Sequence, residues 1–329
     1  MKTPTIAVLG SGSWGTAVAI HLANCGHKVL LWGHDKAHID NMIKDGCNQQ
    51  YLPNSPFPKS LTPIAEFSEC IKDASQIIIA VPSHAFASIL DRLKEKPKAI
   101  AWLTKGIDPK FNLLLSELIA KKWGESFPIA IISGPSFAKE VARFLPTALV
   151  IAGNNQLYLK TLHNLFHHKN IRVYLTDDYK GVQLCGAVKN VLAIACGISD
   201  GLNFGANAKA ALITRGLAEM SRLGLKLGAR QETFMGLAGI GDLVLTCTDD
   251  QSRNRRFGLK LGQGEDINTS EKHIGQVVEG KYNAAQVCSI AAEHQVEMPI
   301  CEEVNALLQG KITPKQAVTN LMNRPPKDE

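Results

Sequence analysis

Three groups of residues in this chain carry chemistry by type and spacing. The first is Gly10-Ser11-Gly12-Ser13-Trp14-Gly15, which follows an apolar run at residues 6–9. The spacing is G-x-G-x-x-G: one glycine for a tight turn, one for close approach to a pyrophosphate, one for packing a helix on a sheet. Phosphates at such a turn meet the N–H groups and the positive dipole end of the following helix. A glycine-rich turn can also be plain structure, but its place after a strand and before a helix favours dinucleotide binding. The second is Lys189, the only acidic or basic residue in the apolar stretch 181–196. A helix apolar on nearly every face is buried. Burial lowers a lysine's pKa toward working pH and makes it a candidate general acid/base. The plainer alternative is a lysine snorkelling from a helix edge. The third is Ser252-Arg253-Asn254-Arg255-Arg256, where arginine forks could grip a phosphate. A solvated basic helix start is the simpler reading of that run.

Further candidates lie in loops. Open α/β sheets bind ligands outside the carboxyl ends of their strands. Val81-Pro82-Ser83-His84, Thr104-Lys105-Gly106 and Ser133-Gly134-Pro135-Ser136 each follow an apolar run and share that placement. Lys105 would be a cation beside phosphates or substrate. At the end of the second strand, a site selective for NAD usually carries an acidic residue for the ribose. Here the sequence reads Leu31-Trp32-Gly33-His34-Asp35-Lys36, with Gly or His directly after the strand. Asp35 reads as a helix cap. With no repelling carboxylate, the 2′-phosphate of NADPH is tolerated and Lys36 or His34 can assist; NADPH is the expected cofactor, with NADH as the alternative. Gly236-Leu237-Ala238-Gly239-Ile240-Gly241-Asp242 mimics a second fingerprint but lacks the strand–turn–helix context. Its glycines read as close helix packing, with Asp242 a polar partner.

The elements that must position these groups fall into two halves. Residues 5–9, 28–32, 76–81, 99–103, 129–132, 148–151 and 172–174 read as strands, most of them continuous apolar runs without alternation, the pattern of strands buried on both faces of a parallel sheet. Amphipathic stretches such as 111–123 fit between them, so a doubly wound α/β, Rossmann-like domain is expected over residues 1–178. Eleven of the fifteen prolines precede residue 175. Helical patterns at 179–198, 206–227 and 280–294 then predict an all-α domain over 179–329, entered through an N-cap at Thr176-Asp177-Asp178. The tail from Arg324 to Glu329 is expected to fray.

Composition narrows the class. At 329 residues, with 45% hydrophobic and 20% charged residues, the chain is that of a globular protein of about two domains. The net charge of +6 suits an anionic ligand, and the pI of about 8.8 is below that of a typical nucleic-acid binder. No aromatic stacking set accompanies the arginine run, which argues against RNA. Eight cysteines form no C-x-x-C pair, so reduced thiols in a cytoplasmic protein are expected, and no metal site. No signal peptide is read at the N-terminus, and no apolar stretch of about 18 residues for membrane insertion.

Nine motifs, in order, resemble bacterial NAD(P)-dependent glycerol-3-phosphate dehydrogenase, over residues 6 to about 320. They are the Gly10–Gly15 turn, Leu31-Trp32-Gly33-His34, Val81-Pro82-Ser83, Thr104-Lys105-Gly106, Ser133-Gly134-Pro135-Ser136 and Gly186-Ala187-Val188-Lys189-Asn190. Gly241-Asp242-Leu243, Cys247-Thr248 through Ser252-Arg253-Asn254, and Val277-Val278-Glu279-Gly280 complete them. The resemblance implies reversible reduction of dihydroxyacetone phosphate to sn-glycerol 3-phosphate, supplying phospholipid synthesis, by a homodimer. It assigns Ser13, Trp14, His34, Lys105, Ala138, Arg253, Val277 and Glu279 to the cofactor. Lys105, Gly134, Ser136, Lys189, Asp242, Ser252, Arg253 and Asn254 go to substrate, with Lys189 the proton donor and acceptor. Trp14 and Ser136 sit where the family varies. Two alternatives stand beside it: another two-domain hydroxyacid dehydrogenase, and a non-enzymatic dinucleotide-sensing protein.

Overall fold

The computed structural model describes residues 5–325, so the end of the expected fraying tail lies outside the described residues. The chain forms two compact units, Met1–Thr104 with Leu115–Tyr179, and Lys105–Leu114 with Lys180–Glu329. Among the described residues there are twelve strands: β1 (Thr5–Leu9), β2 (Lys28–Trp32), β3 (Cys47–Asn48), β4 (Leu52–Pro56), β5 (Leu61–Ile64), β6 (Ala74–Ile79), β7 (Ile100–Trp102), β8 (Ile107–Asp108), β9 (Leu113–Leu114), β10 (Ile129–Ser133), β11 (Thr147–Gly153) and β12 (Ile171–Thr176).

The first unit is built on an eight-stranded sheet in the order β12-β11-β10-β7-β6-β1-β2-β5. Ile6, Val8, Ile78, Ala101, Ala130 and Ile132 join one core, and the helices Ser13–Asn24 and Gln156–Phe166 cover it with Ala17, Ile20, Leu159 and Leu162. From β1 the order runs to β2 on one side and to β6 on the other, so the topological switch point lies between β1 and β6. The expectation of a wholly parallel sheet needs one correction. β10 and β11 pair antiparallel, Ser133 opposite Val150, and β12 follows β11 in parallel. The helix between β10 and β11, Ala138–Ala142, has five residues and is too short to carry the chain back along the sheet.

The second unit is helical around one long element, Tyr179–Gly201, whose residues Gly181 to Ser199 are all buried. By length and composition this helix could cross a membrane, contrary to the reading that no stretch was long and apolar enough; here it is the buried core of the unit. Leu184, Val188, Val191 and Leu192 pack with Met220, Phe234, Leu243, Phe257 and Val287. Truncating one such leucine to alanine costs about 2–5 kcal/mol. Two glycines, one on each helix, set a close crossing. A side chain on Gly197 would strike the backbone of Arg255, and one on Gly258 the backbone of Ile194. That contact holds the helix Arg253–Gly262 against the middle of the long helix.

The second unit is not wholly helical. The β8–β9 hairpin belongs to it, because Ile107 and Leu114 bury in the helical core. The helix expected over 111–123 accordingly begins at Leu115. Asn112 takes a left-handed φ of 53°, and Asp108 Oδ1 accepts from the Lys110 and Phe111 N–H groups, which closes a turn instead.

Candidate functional site

On the first unit, the turn from β1 into the helix Ser13–Asn24 forms a cradle. Gly10 has φ 132°, and a Cβ there would lie 2.6 Å from Ala80 O, at the end of β6. A Cβ on Gly15 would collide with Gly10 O. A Cβ on Gly12, by contrast, would meet nothing within 4 Å. Gly10 and Gly15 are therefore required by packing, whereas Gly12 borders open space. Gly12 caps the helix without a side-chain hydrogen bond, and the first turn carries no acidic residue. An anionic dinucleotide fits those features: room, a positive dipole end and no repelling carboxylate.

At the end of β2, His34, Asp35 and Lys36 are exposed. Asp35 Oδ1 accepts from the His38 N–H at 3.3 Å and caps the helix Lys36–Asp45, as expected. A side chain at Gly33 would collide with Ser11 Oγ, so the strand end itself admits no carboxylate. Gly134 turns with φ 119° and accepts a hydrogen bond from Ser136 Oγ at 3.0 Å, just before Ala138 opens its helix. Thr104 Oγ1 donates to Val81 O at 2.7 Å and joins two of the predicted loops.

On the second unit, Asp242 is the hub. Its Oδ1 accepts from Lys189 Nζ at 2.6 Å and its Oδ2 from Lys105 Nζ at 2.7 Å. Lys189 also donates to Thr246 Oγ1 at 2.8 Å, whose hydroxyl donates to Asp242 O at 2.6 Å. Lys189 is 6% exposed and Asp242 1%. Burial pulls Lys189 down to about 8, against the pull of Asp242 and with the help of the Lys105 charge. Burial opposes ionisation of Asp242, but the Lys105 and Lys189 ammoniums outweigh it and hold the carboxyl below its usual range. Two cations share one carboxylate, so the centre has an unbalanced positive charge suited to an anionic ligand. Asp242 and Thr246 are one turn apart at the start of the helix Asp242–Thr248. Of the preceding glycines, Gly239 packs closely as expected, against the backbone of Phe234, whereas Gly236 makes only ordinary contact.

The arginine run resolves into different jobs. Ser252 caps the helix by accepting from the Arg255 N–H at 3.2 Å. Arg255 is ion-paired with Asp200 at 2.6 Å and with Asp250, a structural role. Arg253 is half-buried and donates to Gln276 Oε1 at 3.2 Å. Burial lowers its pKa while the Glu279 charge raises it. Asn254 Nδ2 donates to Asn190 Oδ1 at 2.9 Å, and Asn254 Oδ1 accepts from the Gly280 N–H at 2.9 Å. The run is thus largely built into the unit rather than solvated.

The second unit carries Lys105, Lys189, Asp242, Ser252, Arg253, Asn254, Val277 and Glu279, and of these it brings Lys105, Lys189 and Asp242 into direct contact. Gly134 and Ser136, expected at substrate, lie on the first unit with Gly10, Gly12, Ser13, Trp14, Gly15, His34 and Ala138. Lys105, placed by its sequence neighbours at the sheet, belongs with the helices. Thr246 was missed, although its i+4 spacing from Asp242 is a readable signal. Among the described residues, no group of three His, Cys, Asp or Glu side chains could hold a metal ion.

A doubly wound sheet with a dinucleotide cradle, followed by a helical unit with a buried lysine–aspartate centre, defines a nicotinamide-nucleotide dehydrogenase. Family models for the N-terminus and C-terminus of NAD-dependent glycerol-3-phosphate dehydrogenase match residues 5–158 and 178–319. The chain is 65% identical over 329 residues, 100% of both chains, to glycerol-3-phosphate dehydrogenase [NAD(P)+] of Legionella pneumophila (strain Paris). It is 52% identical, with 100% of both chains covered, to that of Thioalkalivibrio sulfidiphilus. The crystal structure of glycerol-3-phosphate dehydrogenase from Coxiella burnetii superposes with a TM-score of 0.95 at 50% identity, covering 98% of this chain and 99% of that one. The chain belongs to the NAD-dependent glycerol-3-phosphate dehydrogenase family.

Proposed function

We propose that the protein reversibly reduces dihydroxyacetone phosphate to sn-glycerol 3-phosphate with NADPH or NADH, in the cytoplasm and as a homodimer. Its product supplies phospholipid synthesis. The observation that carries this reading is the shared carboxylate of Asp242, which holds two ammoniums in a buried site whose net charge is positive. The nicotinamide, when bound, supplies the hydride that reaches the ketone carbon. Lys189 stabilises the alkoxide developing on the carbonyl oxygen and donates a proton to it from Nζ. In the reverse direction neutral Lys189 takes that proton back. Its pKa of about 8 lets it serve both directions near neutral pH. Asp242 and Thr246 aim the ammonium. Lys105, Arg253, Asn254 and Ser252 hold the substrate phosphate, which fixes the carbonyl for transfer. By resemblance, Gly134 and Ser136 also serve substrate.

Gly10, Gly12, Ser13, Trp14, Gly15, His34 and Ala138 would hold the cofactor on the first unit. The resemblance adds Lys105, Arg253, Val277 and Glu279. Preference for NADPH is supported by exposed His34 and Lys36 at the end of β2, with Asp35 engaged as a cap.

The test is spectrophotometric oxidation of NADPH and of NADH with dihydroxyacetone phosphate. Turnover on a 2-keto acid and none on the phosphate ester would favour a hydroxyacid dehydrogenase. Cofactor binding without any turnover would favour a sensor. Lys189→Ala is expected to bind NADPH normally and lose turnover by orders of magnitude; near-normal turnover would refute its role. Size-exclusion chromatography tests the dimer.

A further inference from the structure

Asn283 has no role in the chemistry above, yet it is fully buried beside it, on the helix Glu279–Glu293. Its Nδ2 group donates to two backbone carbonyls, Lys105 O at 3.3 Å and Ala187 O at 3.4 Å. One carbonyl belongs to the residue whose ammonium holds Asp242. The other lies two residues before Lys189 on the long helix. Asn190 Nδ2 reaches the same Lys105 carbonyl at 3.4 Å. Asn283 Oδ1 is buried with no partner, an arrangement that folded proteins seldom keep without cause. A Cβ at Gly280, one turn earlier, would strike Asn190 O, so this helix face lies hard against the long helix.

We propose that Asn283 is a positioning residue that clamps the backbone of Lys105 to the Lys189 helix and so keeps the Lys105 ammonium on Asp242. The inference rests on the proposed reaction for its kinetic readout only. Side-chain ammoniums swing on four-carbon stems, and an anchored backbone limits where Nζ can reach. Releasing Lys105 has a directional consequence. Lys189 is faced by Asp242, Lys105, Thr246 and Cys247, and of these charges Lys105 opposes its protonation. A loosened Lys105 leaves Asp242 more fully to Lys189, whose proton is then held more tightly.

Asn283→Thr and Asn283→Val have nearly the same shape, but only threonine keeps a donor. Asn283→Val is expected to lower kcat about tenfold and to move the basic limb of the reduction profile up by about half a pH unit or more, from about 8. Asn283→Thr, whose hydroxyl stops one bond short of the amide nitrogen, is expected to fall between Asn283→Val and the native protein in both readouts. A valine variant with the native limb and kcat would overturn the clamp, as would a threonine variant more impaired than the valine one. Should Asn283→Val fail to fold, Asn283→Ala carries the same expectation against Asn283→Ser. The pH dependence of Lys189 acetylation by acetic anhydride, read by mass spectrometry, reports the same shift without turnover. Absent wild-type turnover would therefore refute the reaction, and an unshifted acetylation profile in the valine variant would refute the clamp.

Discussion

Asp242→Asn keeps the size of the hub and removes its charge. In the native protein that carboxylate faces Lys189 at 2.6 Å and Lys105 at 2.7 Å. At an effective dielectric of about 20, one such contact is worth on the order of 6 kcal/mol. The amide oxygen still accepts a hydrogen bond, and water can enter, so most of that is compensated. A remaining quarter, about 1.5 kcal/mol, still corresponds to about one pKa unit. Lys189 should then titrate near 7 instead of about 8. Reduction needs the ammonium, so at pH 8 titration alone predicts a loss of about fivefold in kcat, recovered in part toward pH 6.

Stability follows from the same linkage. The folded pKa of Lys189 lies below its unfolded value, so the unfolded chain binds more protons between the two values. Stability therefore rises with pH across that window, about 8 to 10.5 in the native protein. In Asp242→Asn the window opens about one unit lower, and the variant is weakest below it, where the Lys189 ammonium stays buried without a facing carboxylate charge. Removing one partner of a buried ion pair costs about 3–5 kcal/mol. The assays are kcat against pH for dihydroxyacetone phosphate reduction, and thermal unfolding at pH 6, 7.5 and 9. A basic limb that stays at the native value, or a stability deficit that does not shrink as pH rises, would refute the charge-sharing account.

Two further perturbations address the phosphate and the cofactor. Arg253→Ala should raise KM for dihydroxyacetone phosphate tenfold or more and leave the fold intact, since its guanidinium donates to the side chain of Gln276 rather than to backbone. An unchanged KM contradicts the phosphate grip. Gly12→Ala should unfold at the native temperature without cofactor, because a Cβ there meets no atom within 4 Å. The same variant should bind NADPH several-fold more weakly by isothermal titration, and unaltered binding would mean that the pyrophosphate does not pass that glycine.

Several features were legible because their causes act over a few residues. Glycine spacing after an apolar run located the cradle, since turn sterics and helix packing are local. Continuous apolar runs located most of the seven predicted strands within a few residues, because strands buried on both faces lose the alternation of half-exposed ones; the edge strand β12 does alternate, with Arg172 and Tyr174 exposed. Lys189 stood out because it is the one charged group in the apolar stretch 181–196. Gly197 and Gly258 were not singled out, because a glycine in a helix reveals nothing of what crosses it.

Other features had no local signature. The three arginines of residues 253–256 look alike in sequence. Only Asp200 and Asp250, brought into place by the fold, make Arg255 structural. The reversal of β11 depends on a helix length that was not foreseen. The β8–β9 hairpin joins the helical unit because Ile107 and Leu114 find apolar partners there, a preference that neither residue type reveals.

The sequence by itself thus determined the chemical inventory: a glycine turn with dinucleotide-binding spacing, a lysine destined for burial, and a family resemblance across both halves. The tertiary structure decided which charges meet. Lys105 and Asp242 are 137 positions apart and Lys189 and Asp242 are 53 apart, with no periodic pattern linking them. Their pairing exists only once burial removes water, because solvated charges at such separations exert almost no hold on one another.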